Sequence, residues 1–141
     1  MPKLVAKPFP ILIIVRRLKS FFKERHDVSL VFLFGSFASK QTTVYSDIDV
    51  GILFNKVPDF YEINDMKEDL TVLLKKEVDL VVLNAASPVL RMQVLKKGVL
   101  IFQKGKNDYS LFYGDAVKQY DDLKIIRRKC EENILKGRVY A

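Results

Sequence analysis

Apolar residues along the chain follow two spacings, one typical of helices and one typical of strands. Spacings of three and four residues recur in four stretches, and short runs rich in Val, Leu, Ile and Phe lie between them. These patterns predict helices at about 10–25, 60–75, 88–97 and 108–136, and strands at 28–34, 47–54, 78–83 and 99–103. Segment 37–43 is predicted to be a short helix or a loop.

Residues that favour helix ends support these boundaries. Ser87 precedes Pro88, a pair typical of an N-cap and a first helical position, and Gly98 is placed to end the same helix. Strands interleaved with helices predict an α/β or α+β fold: one small mixed sheet of three to four strands flanked by helices, with a long C-terminal helix. Because no repeat or linker is visible, residues 1–141 are predicted to form a single domain.

The chain is basic, with 24 Lys and Arg against 17 Asp and Glu and a formal net charge of +7. Such a surface suits triphosphates, nucleic acid or an acidic partner, but the positive residues are scattered, so charge alone does not indicate nucleic-acid binding. A single cysteine, Cys130, excludes an internal disulfide and fits the reducing cytoplasm. The apolar run 11–15 is too short to span a bilayer, so we expect a cytoplasmic protein without membrane contact.

The polar residues of greatest chemical interest lie where the first two predicted strands end and begin. Gly35 and Ser36 end the first strand, and Asp47-Ile48-Asp49 opens the second. Because side chains two apart share a face of a strand, Asp47 and Asp49 are expected to point the same way. Two adjacent carboxylates repel each other, and a divalent cation that also binds substrate phosphate removes this cost.

A third acid, Asp79, lies in an apolar run on the next predicted strand. An aspartate in such a setting is unfavourable unless it is paired or binds a metal. Three carboxylates on adjacent strands can hold two cations, the arrangement that supports in-line displacement at phosphorus. Gly35 would let the backbone approach phosphates, and Ser36 can donate its hydroxyl and backbone N–H to a phosphate oxygen.

Each of these residues also has a simple structural explanation. Asp47 could cap a turn, Asp49 could face solvent on an edge strand, and Asp79 could pair with Lys76. Gly35 could be only a turn residue. The joint occurrence of the acids with Gly-Ser favours a metal and phosphate site, whereas no Walker A motif or zinc-ligand pattern is present.

This combination resembles a known family. Gly-Ser, ten intervening residues, Asp-x-Asp and a third Asp on a later strand are the signature of the DNA polymerase beta-like nucleotidyltransferase superfamily. The run Ser-Asp-Ile-Asp-Val-Gly-Ile-Leu at 46–53 looks like its minimal nucleotidyltransferase (MNT) branch, whose members are typically antitoxins paired with a HEPN-domain toxin. The resemblance is sharpest over residues 30–83.

The resemblance implies a nucleotidyltransferase fold and a set of residue roles. Asp47 and Asp49 would bind two Mg²⁺ ions, or Mn²⁺, while Asp79 would bind one of them and help to deprotonate the acceptor hydroxyl. Gly35 and Ser36 would hold the triphosphate of ATP. The chain departs from many relatives after Ala38, where Ser39-Lys40 stands in place of Arg-Gly, which puts a phosphate contact by Lys40 in doubt.

Three functions are compatible with these observations. The first is an enzyme that transfers AMP from ATP to a tyrosine of a HEPN toxin. The second is an antitoxin that neutralises its toxin by binding, with catalysis secondary or absent. The third is an antibiotic nucleotidyltransferase, which needs additional residues to enclose a small acceptor that this chain lacks. Three converging acids favour the first, and the sequence leaves the acceptor, the preferred base and the oligomeric state open.

Overall fold

The computed structural model describes residues 11–35 and 47–135, which form four helices and four strands. In chain order these elements are α1 (Ile11–Lys23), β1 (Val28–Phe34), β2 (Ile48–Phe54), α2 (Phe60–Leu74), β3 (Val78–Val82), a short 3₁₀ turn (Leu83–Ala85), α3 (Pro88–Lys97), β4 (Val99–Gln103) and α4 (Asp108–Leu135). Every helix and strand predicted above is confirmed, with ends that differ by one or two residues. Segment 37–43 lies outside the described residues.

The four strands form one mixed sheet in the order β3-β2-β1-β4. Strand β1 is antiparallel to both β2 and β4, whereas β2 is parallel to β3 and is connected to it through α2. The end of β1 therefore meets the beginnings of β2, β3 and β4 at one end of the sheet. We call this end of the strands, which carries Gly35, Asp49 and Asp79, the acidic edge.

Helices cover both faces of the sheet, so the protein has two apolar layers. On one face α1 and α2 pack against alternate strand residues, and their buried side chains include Ile14, Leu18, Phe22, Met66, Leu70 and Leu74. On the other face the 3₁₀ turn, α3 and α4 contribute Leu83, Val94 and Phe112, which pack on Leu30 and Phe32 of β1. Asp49 alternates with Ile48 and Val50 of the first layer and therefore belongs to the face covered by α3 and α4.

Specific residues at the helix ends direct the chain into the strands. Asp59 and Glu62 form a reciprocal capping box at the start of α2, and Lys75 ends the helix in the left-handed conformation, with φ of 57°. The chain then turns directly into β3. The Ser87 side chain accepts a hydrogen bond from the Leu90 backbone N–H, which confirms the predicted N-cap of α3.

Arg91 is a buried cation that the sequence pattern did not single out. Its Nε donates to the Leu83 carbonyl at 2.9 Å and its Nη2 to the Asn84 carbonyl at 3.2 Å. Its Nη1 reaches the Gln119 Oε1 at 3.1 Å and a carboxylate oxygen of Asp115 at 3.4 Å. Arg91 thus joins the end of β3, the first turn of α3 and the middle of α4, at the end of the sheet opposite the acidic edge.

Candidate active site at the acidic edge

Two of the three predicted acids lie next to each other on parallel strands. Asp49 is the second residue of β2 and Asp79 is the second residue of β3, and the register pairs their Cα positions directly. Paired residues of neighbouring strands point to the same face, so the two carboxylates share one face at the acidic edge. Asp47 is exposed and lies one residue before β2, so it approaches this pair from the preceding chain segment.

Asp49 does not lie on an edge strand. Strand β2 is enclosed by β1 and β3, and the Asp49 side chain is half-buried. The alternative in which Asp49 simply faces solvent on an edge strand is therefore wrong. The structure places no hydrogen bond or ion pair on its carboxylate among the described residues, which leaves this partly desolvated acid available to a ligand.

Gly35 fits closely against Asp49. It follows the last residue of β1, whose Phe34 pairs with Asp49, and its φ is +78°, a value that glycine adopts readily and other residues avoid. A Cβ built on Gly35 would overlap a carboxylate oxygen of Asp49 and lie 3.0 Å from its Cγ. Both the backbone turn and the position of the acid therefore favour glycine here.

The electrostatics of the site centre on Asp49. Partial burial raises the pKa of its carboxyl above the usual value, and the negative charges of Asp79 and then Asp47 raise it further. Repulsion from Asp79 and Asp47 therefore disfavours the ionised form of Asp49. A cation at this position would lower the cost of keeping all three ionised.

The carboxylate oxygens suit a hard divalent cation whose coordination is completed by substrate. Among residues 11–35 and 47–135, no three Asp, Glu, His or Cys side chains are clustered closely enough to hold a metal by themselves. Mg²⁺ characteristically keeps several waters and binds one or two carboxylates together with substrate phosphates rather than a closed protein cage. The in-register Asp49 and Asp79 with the adjacent Asp47 fit this mode of binding.

The structure describes some of the predicted site residues and not others. Ser36 and Lys40 lie outside the described residues, so their predicted contacts with triphosphate stay predictions. Gly35, Asp49 and Asp79 are brought together at the acidic edge, with Asp47 one residue before the strand that carries Asp49. The shared register of β2 and β3 could not be read from spacing, because pairing partners are chosen by tertiary packing.

The C-terminal end of α3 was not recognised from the sequence as part of this edge. A Cβ built on Gly98 would lie 3.3 Å from the Phe34 Cβ, and Val99 pairs with Leu33, so α3 ends beside the last residues of β1. Lys96 and Lys97 are the exposed last residues of this helix. Lys97 follows buried Val94 by three residues and so extends the side of α3 that faces the sheet.

The fold and the acidic edge correspond to a known enzyme family. Residues 16–107 match the family model "Polymerase beta, Nucleotidyltransferase", which covers the sheet, the three acids and α3. The chain therefore belongs to the polymerase beta nucleotidyltransferase family, and the predicted nucleotidyltransferase is confirmed.

Its relatives within the family place it among minimal nucleotidyltransferases. It is 36% identical over 72 residues to a putative protein adenylyltransferase of Methanocaldococcus jannaschii, covering 51% of this chain and 74% of the relative. It is 29% identical over 108 residues to the protein adenylyltransferase MntA of Shewanella oneidensis, covering 77% of each chain.

Solved structures of similar fold come from toxin–antitoxin complexes. A chain of a toxin–antitoxin structure with AMP-PNP superposes with a TM-score of 0.74 at 25% identity, covering 86% of this chain and 98% of that chain. The fold also matches, with a TM-score of 0.70 at 24% identity, a chain from a complex of a tri-AMPylated HEPN toxin of Shewanella oneidensis with its MNT antitoxin, covering 88% of this chain and 98% of that chain. No helix in the described part of this chain is both long and apolar enough to cross a membrane.

Proposed function

We propose that this protein is a cytoplasmic antitoxin of the MNT type that transfers AMP from ATP to a tyrosine hydroxyl of a partner toxin of the HEPN class. The observation that carries the proposal is the register of Asp49 and Asp79 on adjacent parallel strands, with Gly35 closely packed against Asp49. Binding alone does not need interacting carboxylates at the edge of a sheet. The similarity to protein adenylyltransferases supports the choice of AMP and of a protein acceptor.

In this proposal the acids hold the metal ions and one of them also moves a proton. Asp47, Asp49 and Asp79 would bind Mg²⁺, with ATP phosphates completing the coordination. Bound Mg²⁺ supplies positive charge that stabilises the reacting α-phosphate and the departing pyrophosphate. Gly35 keeps the space beside Asp49 free of a side chain and holds the backbone close to the phosphates.

The reaction at phosphorus is a single displacement. The tyrosine oxygen bonds to the α-phosphorus, the bond from the α-phosphorus to the oxygen bridging to the β-phosphate breaks, and pyrophosphate leaves. A carboxylate oxygen of Asp79 accepts the proton of the tyrosine hydroxyl. Because Asp79 is exposed at the second position of β3, a hydroxyl carried by another protein can approach it from solvent.

We extend the proposal to Lys97, which would bind the far end of the triphosphate. It directly precedes Gly98 and β4, and β4 lies two strands from β2, so roughly 10 Å separate the backbones that carry Lys97 and Asp49. A flexible lysine side chain can bridge much of this distance toward the β- or γ-phosphate. Lys96, two residues after buried Val94, projects away from the sheet and provides a matched control.

The proposal is tested by weighing the acceptor. The protein, ATP, Mg²⁺ and the candidate toxin, taken as the product of the neighbouring gene, are mixed, and the mass of that product is measured by intact mass spectrometry. We expect a gain of one or more AMP units, located on tyrosine by fragmentation, and no gain with the Asp47→Asn/Asp49→Asn variant. An unchanged mass together with full neutralisation in a stable complex would instead support an antitoxin that acts by binding.

A further inference from the structure

The second half of α4 extends beyond the body of the protein without packing on any described residue of the chain. Of this 28-residue helix, the buried side chains are Phe112 and Ala116, and every residue from Lys124 to Leu135 is exposed. The large apolar side chains in this part include Ile126, which is 59% exposed, and Ile134, which is 61% exposed. A lone amphipathic helix of this length is marginal in water, so an apolar face of this kind is stabilised by a partner.

The exposed apolar residues continue the buried face of the same helix. At 3.6 residues per turn, Leu123, Ile126, Cys130 and Ile134 fall on the side of α4 that carries Phe112 and Ala116 against the sheet. We call these four residues the α4 stripe. Ile125, which is 48% exposed, lies on the opposite side of the helix. The stripe therefore continues the apolar side of α4 that the domain covers at Phe112 and Ala116.

We propose that the α4 stripe is a dimer interface in which two copies of this chain pair their α4 helices in antiparallel orientation. In an antiparallel pair related by a two-fold axis, each residue of the stripe must find a match when the helix is read in reverse. When two α4 helices run in opposite directions, Leu123 lies opposite Ile134 of the other copy, and Ile126 lies opposite its Cys130. The two pairings agree in register to within about one residue, or 1.5 Å. Apolar residues then face apolar residues at every level of the seam.

The charges beside the stripe favour this orientation. Arg127 and Glu131 flank the stripe on one side of the helix, and the antiparallel register brings Arg127 of one copy beside Glu131 of the other. Arg128 points away from the stripe, so it does not oppose pairing.

The interface would leave the acidic edge free. Asp115 and Gln119 contact Arg91, which also binds the Leu83 and Asn84 carbonyls after β3, at the end of the sheet opposite Asp49 and Asp79. The exposed half of α4 thus leaves the domain away from the candidate active site. The inference does not depend on the proposed function, and its test needs neither ATP nor a toxin.

The test is the mass of the full chain in solution. We expect sedimentation-equilibrium ultracentrifugation of the wild-type protein to show a concentration-dependent monomer–dimer equilibrium. Ile126→Asp places a charge in the seam and should weaken dimerisation by at least about 10-fold, whereas Ile125→Asp adds the same charge on the opposite side and should leave it unchanged. Both positions are exposed in the single chain, so circular dichroism should show the same folded domain for both variants.

Orientation is tested by disulfide formation in a Cys130→Ser background. Leu123→Cys and Ile134→Cys variants, mixed and oxidised, should cross-link to each other, while each variant alone should remain largely uncross-linked. A wild-type protein that is monomeric at all concentrations, or a dimer that survives Ile126→Asp, would overturn the proposal. Cross-linking of Leu123→Cys mainly with itself would overturn the antiparallel arrangement.

Discussion

Replacing Gly35 with alanine gives a direct measure of how closely the backbone approaches Asp49. Two costs are expected. Holding a non-glycine residue at φ of +78° costs about 1–2 kcal/mol. In addition, the new Cβ would overlap the Asp49 carboxylate, so that side chain must leave its position at an added cost of about 0.5–1.5 kcal/mol.

These costs predict different sizes of effect on stability and on activity. A loss of about 1.5–3.5 kcal/mol is within the usual stability of a domain, so Gly35→Ala should fold and melt several degrees lower in a thermal scan. Transfer should suffer more, because a displacement of about 1 Å at a reacting group can reduce the rate by about 10²-fold. AMP incorporation and Tm should be measured on the same preparation.

A second glycine supplies the control. Gly114 lies inside α4 and a Cβ built there meets no atom within 4 Å. Gly114→Ala should therefore leave transfer unchanged and raise stability by up to about 1 kcal/mol, the helical preference of alanine over glycine. A Gly35→Ala variant with wild-type Tm and wild-type transfer would refute the close packing of Gly35 on Asp49 as a requirement of the site.

Four further predictions concern charge and metal at the acidic edge. Asp49→Asn should reduce AMP transfer by at least about 10²-fold in a steady-state assay while the protein remains folded; near-normal turnover would remove Asp49 from the mechanism. The pKa of Asp49 is raised in the folded protein, so this carboxyl favours folding when it is protonated. Its contribution to the free energy of unfolding is complete below the unfolded pKa and is lost as the pH rises through the folded pKa. Asp49→Asn should therefore be more stable than wild type at neutral pH, and urea titrations should show this advantage disappearing as the pH falls below 3.8, the ordinary value; an advantage that grows on acidification would contradict the sign. Lys97→Ala should weaken ATP binding in calorimetry by about 3- to 10-fold with a reduced salt dependence, and an equal loss in Lys96→Ala would show a general charge effect instead. Removal of divalent ions with EDTA should abolish transfer and Mg²⁺ should restore it, whereas full transfer in EDTA would exclude a metal-dependent reaction.

The helices and strands could be predicted because each has its own local signal. The strand β1 is a continuous apolar run, α2 carries an apolar stripe at helical spacing, and Ser87-Pro88 marks the start of α3. These signals depend on backbone conformation and burial within a few residues, so they survive without knowledge of the neighbours. The candidate acids were found for a related reason, since aspartates inside apolar strands are costly unless a ligand binds them.

Contacts between distant segments had no such local signal. The pairing of Asp49 with Asp79 depends on the register of β2 and β3, which packing across the whole sheet sets. Arg91 resembles an ordinary surface residue in its polar helix, yet it is buried, and its guanidinium donates to the carbonyl groups of Leu83 and Asn84.

The helix α4 shows most clearly what the local sequence can predict and what only the tertiary structure decides. Its apolar residues recur at the same spacing from Phe112 to Ile134, so periodicity alone predicts one long helix with one buried side. The folded domain covers that side only as far as Ala116 and leaves Ile126 and Ile134 exposed. Periodicity reports which side of a helix avoids water, but the extent of the sheet and of α3 decides how much of that side the chain itself can cover.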